Sequence, residues 1–158
     1  FIPSFNDLVV LNPDGSKDPL GRPITIEELM THRSGLSYDF LLGCHVSPLY
    51  AENNISDDKS RSLEEVCEVL SNLPLAYQPG QKFNYSVSLE VLARIMEIIK
   101  EKDFLKILSE EIFIPLEMND TGFGVKNHNL KNIVVIELST TSIDKIKSLE
   151  KIINALNC

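Results

Sequence analysis

The amino-acid sequence predicts a mainly α-helical protein. Two capping boxes, in which a Thr or Ser is followed three residues later by Glu, indicate helix starts at Thr25 and Ser62. Apolar residues recur at three- and four-residue spacing along several segments, which is the pattern of an amphipathic helix. The helices predicted from these signals cover residues 25–33, 62–73, 86–101, 103–114 and 141–156.

The composition is that of an ordinary globular protein. The chain has 158 residues, of which 43% are hydrophobic and 24% are charged. Its net charge of −8 disfavours binding to nucleic acid or to an anionic membrane surface, because both need a basic face. No apolar run in the sequence has the length of a membrane span. The chain begins at Phe1 and not at methionine, so we expect a fragment or a processed product.

The first third of the chain alternates turns with one short helix. An apolar cluster before Leu11 predicts a short strand, and residues 12–16 and 20–23 predict turns. In the helix that Thr25 begins, we expect Leu29 to pack inward together with its neighbours Ile26 and Met30. Gly35 is predicted to end this helix as a left-handed residue. Residues 38–61 then predict a long loop.

The most informative stretch runs from Tyr77 to Lys100. A Gln-Pro-Gly-Gln sequence at 78–81 predicts a turn, because proline presets the first central dihedral and glycine accepts the positive φ that follows. A short extended segment leads to Tyr85, and an amphipathic helix follows it. Tyr85 is therefore expected where an approach segment meets the N-terminus of a helix.

Three segments together resemble a known family. They are the turn with Phe83-Asn84-Tyr85-Ser86, the segment ITIEELMTHRSGL at 24–36, and the segment IFIPLEMNDTGF at 112–123. In chain order, with 24–36 before the tyrosine and 112–123 after it, they resemble the serine β-lactamase-like family, which includes class C β-lactamases, DD-peptidases and related esterases and lactonases. The resemblance implies that residues 1–125 are the helical insertion region of a parent α+β fold. Residues 126–158, where it ends, are expected to form a divergent strand and helix.

The resemblance also implies a catalytic role for Tyr85. In this family the serine of a Ser-x-x-Lys motif attacks an ester or lactam carbonyl, the lysine takes its proton, and the tyrosine assists as a proton shuttle. A Lys-Thr-Gly or His-x-Gly strand helps to form the oxyanion hole. The substrate expected for the parent enzyme is a small-molecule ester or lactam. Val87 stands where β-lactam-opening members often have asparagine, which favours the esterase branch.

The nucleophile, in contrast, is expected to be missing. Ser-x-x-Lys occurs at Ser56/Lys59, Ser142/Lys145 and Ser148/Lys151, but all three follow the Thr-His-x-Ser-Gly segment that the family's nucleophile precedes. Neither Lys-Thr-Gly nor His-x-Gly occurs in the sequence. Lys82, close to Tyr85, is expected to be solvated at a turn.

Other reactive residues are expected to have structural roles. The residues His32, Ser34 and Ser37 suggest a triad, but no carboxylate is spaced to orient the histidine, which is predicted to lie in the last turn of its helix. Cys67 is expected to be a small buried thiol within a helix. Cys44-His45 lacks the spacing of metal ligands, so we expect neither a metal nor a cofactor.

The sequence thus predicts a partial β-lactamase-related serine hydrolase whose parent activity is hydrolysis or transesterification of carboxylic esters. Tyr85 is its candidate catalytic residue. The alternative is a non-catalytic binding or pseudoenzyme module that retains the helical subdomain. An in-frame Ser-x-x-Lys upstream of Phe1 would distinguish the first from the second.

Overall fold

The computed structural model describes residues 1–56, 58 and 60–123. The chain forms two compact units, Phe1–Ile107 and Leu108–Cys158. Among the described residues helices dominate, and two short strands complete the regular structure, so the predicted mainly α class is confirmed. The domain division at residue 125 stays a prediction. The helix predicted at 141–156 and the strand predicted within residues 126–158 lie outside the described residues.

A small β element begins the first unit. After a 3-10 helix (Pro3–Asp7), strand β1 (Val9–Leu11) pairs antiparallel with β2 (Lys17–Pro19). The other edge of β1 meets Leu75, whose N–H donates to the Val9 carbonyl at 2.8 Å. The polar sequence of β2 gave no strand signal, because this edge strand is exposed along its length.

Helix α1 is shorter than predicted. It covers Ile26–Met30, and Thr25 and Glu28 form the predicted capping box. Ile26 and Met30 are exposed, which corrects the expectation that they pack inward, and only Leu29 of the three is buried. With so little packing to extend it, the helix ends before the predicted residue 33. His32, at φ 52°, already has left-handed backbone outside the helix.

Two corrections follow from this early end. His32 does not lie in the last helical turn, and Gly35 is not the residue that ends the helix. The positive φ predicted for Gly35 is nevertheless present, at 87°. It belongs to a later change of direction, where the Ala76 N–H donates to the Gly35 carbonyl at 2.7 Å.

Helix α2 (Ser47–Glu52) lies inside the segment that was predicted to be a loop. The prediction treated Pro48 as a turn former, but proline is also tolerated in the first turn of a helix. Burial of Tyr50 and of the preceding Val46 holds this helix against the core. Helix α3 (Leu63–Leu70) begins with the predicted capping box of Ser62 and Glu65.

Helix α4 (Ser88–Lys100) packs against both α1 and α3. Its buried face includes Val91 and Ile95, as the apolar spacing predicted. The helix ends at Glu101, which is left-handed with a φ of 52°. Helix α4 therefore links α1 to α3 within the first unit.

The segment predicted as one helix at 103–114 has two parts. Helix α5 (Phe104–Leu108) begins after Asp103, whose side chain accepts the Lys106 N–H at 3.3 Å. A π-helix (Ser109–Phe113) follows in the second unit. Pro115 comes two residues after its end, in agreement with the predicted stop.

The core of the first unit is formed by apolar side chains from β1, from all of the first four helices and from the connections between them. Among the residues that the structure describes, no helix is long and apolar enough to cross a membrane. The largest fully buried side chains of the core are Tyr50, Leu36, Leu70, Leu75, Ile107, Val46, Val87 and Val91.

Candidate functional site

The turn that precedes Tyr85 is held by two arginines. The Gln81 N–H donates to the Gln78 carbonyl at 3.0 Å across the turn, and Gly80 has the predicted positive φ, at 84°. Arg22 donates to the Pro79 carbonyl at 3.0 Å. The Arg33 side chain donates to the Gly80 carbonyl, while the Gly80 N–H donates to the Arg33 carbonyl at 2.8 Å.

Glu28 connects this turn to helix α1. Its carboxylate pairs with Arg22 and also accepts the Thr25 N–H at 2.9 Å as half of the capping box. The hydrogen bond from Arg22 lowers the pKa of Glu28, although burial opposes the shift. A β-carbon on Gly80 would lie within 2.6 Å of the Glu28 carboxylate. The absence of a side chain at position 80 therefore lets the turn approach the ion pair.

The backbone on both sides of Tyr85 is hydrogen-bonded to the segment that follows α1. On the N-terminal side, the Asn84 N–H donates to the His32 carbonyl at 2.8 Å, and the Asn84 side chain donates to the Leu36 carbonyl at 2.7 Å. On the C-terminal side, the Ser86 N–H donates to His32 Nδ1 at 3.3 Å. Tyr85 is therefore held between two anchored residues.

The Tyr85 ring is half-exposed, with 47% of the residue accessible to solvent. Its centroid lies 4.8 Å from that of the His32 ring and 5.2 Å from that of the Tyr38 ring. Both ring pairs are tilted by about 50°. The two neighbours leave part of the ring open to an incoming molecule.

Tyr38 is paired with a glutamate of helix α4. Its hydroxyl donates to Glu90 Oε1 at 2.8 Å. Burial, and then the hydrogen bond to Glu90, raise the pKa of Tyr38 above its ordinary value. The second oxygen of Glu90 is enclosed and has no hydrogen-bond partner in the described part of the chain. Tyr38 thus remains a neutral phenol beside Tyr85.

The serines next to the site are buried and bonded to one another. Ser86 Oγ lies 2.7 Å from Ser88 Oγ, which lies 2.8 Å from Ser34 Oγ. Ser37 bonds to Ser47 Oγ at 3.0 Å and is likewise fully buried. All of these hydroxyls are buried, which is the environment expected for serines with a structural role.

Ser56, the Ser-x-x-Lys serine that lies among the described residues, is also hydrogen-bonded. Ser56 Oγ donates to Asp39 Oδ1 at 2.7 Å, and its N–H donates to Asp39 Oδ2 at 3.0 Å. Ser142 and Ser148 lie outside the described residues.

The Lys82 ammonium, on an exposed side chain, lies 4.9 Å from the centroid of the Tyr77 ring. This geometry directs Lys82 to Tyr77.

Reasoning from sequence missed three residues of this site. They are Tyr38 and His32, whose rings lie beside Tyr85, and Glu90, which bonds to Tyr38. The only available signal was that His32 and Tyr38 lie close to the Ser-Gly-Leu sequence on either side. The structure also shows that His45 donates to the Leu11 carbonyl. Among the described residues, no three His, Cys, Asp or Glu side chains are grouped as metal ligands.

Comparison with known proteins identifies the family. Residues 10–133 match the model of the Beta-lactamase family. The chain is 33% identical over 106 residues to lovastatin esterase of Penicillium rubens. This match covers 67% of this chain and 26% of that enzyme. It is 34% identical over 113 residues to esterase EstB of Burkholderia gladioli, covering 70% of this chain and 27% of EstB.

A solved structure agrees with these relatives. The fold is similar to that of EstCE1, a hydrolase with promiscuous acyltransferase activity, with a TM-score of 0.63 and 26% identity. The match covers 80% of this chain and 32% of EstCE1. This chain belongs to the Beta-lactamase family. Its matched region spans about a quarter of the length of the two esterases, 26% and 27%.

Proposed function

We propose that this chain is the helical insertion region of a β-lactamase-related serine hydrolase that acts on carboxylic esters of small molecules. In this proposal Tyr85 is the catalytic tyrosine of the parent enzyme. The observation that supports it best is the half-exposed Tyr85 ring, which is fixed by its neighbours on both sides. A proton shuttle needs such a fixed but accessible hydroxyl.

The proposed chemistry assigns one task to Tyr85. When a serine oxygen bonds to the ester carbonyl carbon, the serine proton must leave, and the departing alkoxide must later receive a proton. A phenol placed between these two oxygens can carry this proton from one to the other. An ordinary phenol has a pKa of about 10, so at neutral pH it accepts the serine proton only where a nearby cation stabilises the phenolate. The parent enzyme must therefore supply both the serine and a cation.

The described residues support the absence of turnover in this chain alone. Ser56 is bonded to Asp39, and the serines beside Tyr85 are buried. Lys82 faces Tyr77. None of these groups offers Tyr85 a nucleophile–base pair, which supports the proposal that the nucleophile belongs to another part of the parent enzyme.

The ester preference rests on Val87 and on the relatives. Val87 is buried, so it presents no polar group to a substrate beside Tyr85. Two of the matched relatives are named as esterases, and EstCE1 is named as a hydrolase with acyltransferase activity. We therefore propose esters and not lactams as the substrates of the parent enzyme.

The first test is hydrolysis of p-nitrophenyl butyrate by the purified chain and its Tyr85→Phe variant. We expect both to release p-nitrophenol at the rate of the buffer alone. If the chain hydrolyses the ester and Tyr85→Phe abolishes this activity, the proposal that the chain lacks a nucleophile is wrong. Ser56 would then be the first candidate for the nucleophile.

The second test measures the role of Tyr85 itself. The segment of esterase EstB that matches this chain would be replaced by the corresponding segment of this chain, with and without Tyr85→Phe. We expect the chimera to hydrolyse the ester and the Tyr85→Phe chimera to lose at least about 100-fold in rate, as for a removed general acid–base group. Equal rates in two folded chimeras would show that Tyr85 is not catalytic. That result would favour the binding or pseudoenzyme module.

A further inference from the structure

His32 has a backbone conformation that is uncommon among non-glycine residues. Its φ of 52° places it in the left-handed region, which non-glycine residues seldom occupy and in which Asn, Asp and His are enriched. Hydrogen bonds hold it there, since its N–H donates to the Leu29 carbonyl at 3.3 Å and its carbonyl accepts the Asn84 N–H at 2.8 Å. This backbone places the imidazole beside the Tyr85 ring.

The His32 ring makes a directional bond to the residue after Tyr85. The Ser86 N–H donates to Nδ1 at 3.3 Å, so Nδ1 must carry a lone pair and the ring proton must be on Nε2. Ser86 is fully buried, and a buried backbone N–H needs an acceptor. The Ser86 hydroxyl lies closer to Ser88, at 2.7 Å, than to the imidazole, at 3.4 Å.

The same ring limits the movement of the tyrosine side chain. Its centroid lies 4.8 Å from that of Tyr85, and the Phe83 ring lies 6.0 Å away in an edge-on arrangement. One residue thus contacts the backbone on the C-terminal side of Tyr85, the backbone on its N-terminal side and the aromatic ring itself.

We infer that His32, in its neutral Nε2–H form, is the positioning residue for Tyr85. It accepts the Ser86 N–H, which orients the peptide that follows Tyr85, and its ring forms one wall against the phenol. The importance of this position for hydrolysis rests on the proposed function. The positioning itself can be measured without any turnover.

Two substitutions separate the two contributions. His32→Asn places an amide oxygen near the position of Nδ1 and suits the left-handed backbone, so it keeps an acceptor and removes the ring. His32→Gly also suits this backbone but removes both the acceptor and the ring. Both variants are therefore expected to fold, and their difference reports the acceptor.

The experiment uses NMR of the full chain. In the parent chain, imidazole ¹⁵N spectra should show Nδ1 without a proton, and Ser86 amide exchange should be slow. We expect amide exchange in His32→Asn within a few-fold of the parent and at least about tenfold faster in His32→Gly. Both variants should shift the Tyr85 ring protons, because both lose the neighbouring aromatic ring.

Two results would overturn the inference. One is a proton on Nδ1 in the parent chain. The other is equal Ser86 exchange and unchanged Tyr85 signals in a folded His32→Gly variant. Equal ester hydrolysis by the EstB chimera with and without Tyr85→Phe, together with Ser86 amide exchange that depends on His32, would contradict the proposed function. It would leave the positioning of Tyr85 by His32 intact.

Discussion

Gly35 and Tyr77 approach each other so closely that a β-carbon on residue 35 would overlap the Tyr77 carbonyl oxygen. The φ of Gly35, 87°, adds a conformational restriction to this steric one. The close approach joins the segment that contains His32 to the segment that leads to Tyr85. Both restrictions act at a single glycine.

We expect Gly35→Ala to lower the free energy of unfolding by at least about 2 kcal/mol, because backbone strain and steric overlap add. Gly43→Ala is the matched control. Gly43 has a similar φ, 80°, but among the described residues no atom beyond its two chain neighbours lies within 4 Å of a β-carbon placed on it. The control should lose only about 1 kcal/mol. Urea unfolding followed by circular dichroism measures both, and equal losses would show that the contact with Tyr77 is unimportant.

Glu28→Gln should destabilise the chain by about 1 to 3 kcal/mol at pH 7, because Arg22 loses its buried charged partner. The pKa of Glu28 is lowered in the folded state, chiefly by Arg22, so its stabilisation is present above its ordinary pKa of 4.5. This contribution is lost as the pH falls through the folded-state pKa.

The difference in urea midpoint between the parent and Glu28→Gln should therefore narrow in acid. Glu27→Gln is the control, since Glu27 lies on the same helix but is exposed. A difference for Glu28→Gln that is constant from pH 7 to pH 3 would exclude the proposed contribution of the ion pair.

Cys67 should react slowly with a disulfide reagent in the folded protein. Burial raises the pKa of its thiol to about 12, and the side chain is enclosed in the core. At pH 8 the thiolate fraction would be about one part in ten thousand. A Cys44→Ser/Cys158→Ser variant leaves Cys67 as the reporter, and Cys67→Ser/Cys158→Ser leaves the partly exposed Cys44 as its control. Similar reaction rates in the two folded variants would contradict the burial of Cys67.

Tyr38→Phe should lower the free energy of unfolding by about 1 to 3 kcal/mol, because Glu90 Oε1 would lose the hydroxyl that donates to it. The other oxygen, Oε2, is already enclosed without a partner in the described part of the chain. Glu90→Leu, alone and combined with Tyr38→Phe, completes a double-mutant cycle. The double variant should lose less than the sum of the single variants, since both partners of the bond are gone. Additive losses would mean that the two residues are not coupled.

Local signals predicted the parts of this fold that depend on a few neighbouring residues. Both capping boxes and the turn at 78–81 formed as expected, because each is closed by groups within three residues of one another. The lengths of the helices were less predictable. Helix α1 is short because only one side of it is packed, and α2 forms because Tyr50 is buried.

The site itself depended on contacts that local patterns cannot reveal. Tyr85 was identified by resemblance, and its catalytic role stays a prediction. Its contacts with His32 and Tyr38 require two segments about 50 residues apart in the sequence to meet. A histidine after a helix could equally face solvent, so nothing in its sequence position indicated that Nδ1 would accept the Ser86 N–H.

The hydrogen bonds around Tyr85 have nearly the same span along the chain. His32 and Ser86 are 54 residues apart, as are Ser34 and Ser88, while Tyr38 and Glu90 are separated by 52 and Arg22 and Pro79 by 57. Closing one such loop costs conformational entropy, but further bonds between the same two segments add little to that cost. The hydrogen bonds around Tyr85 therefore share the entropic cost of closing a single loop, and each bond after the first adds its stabilisation at little further cost.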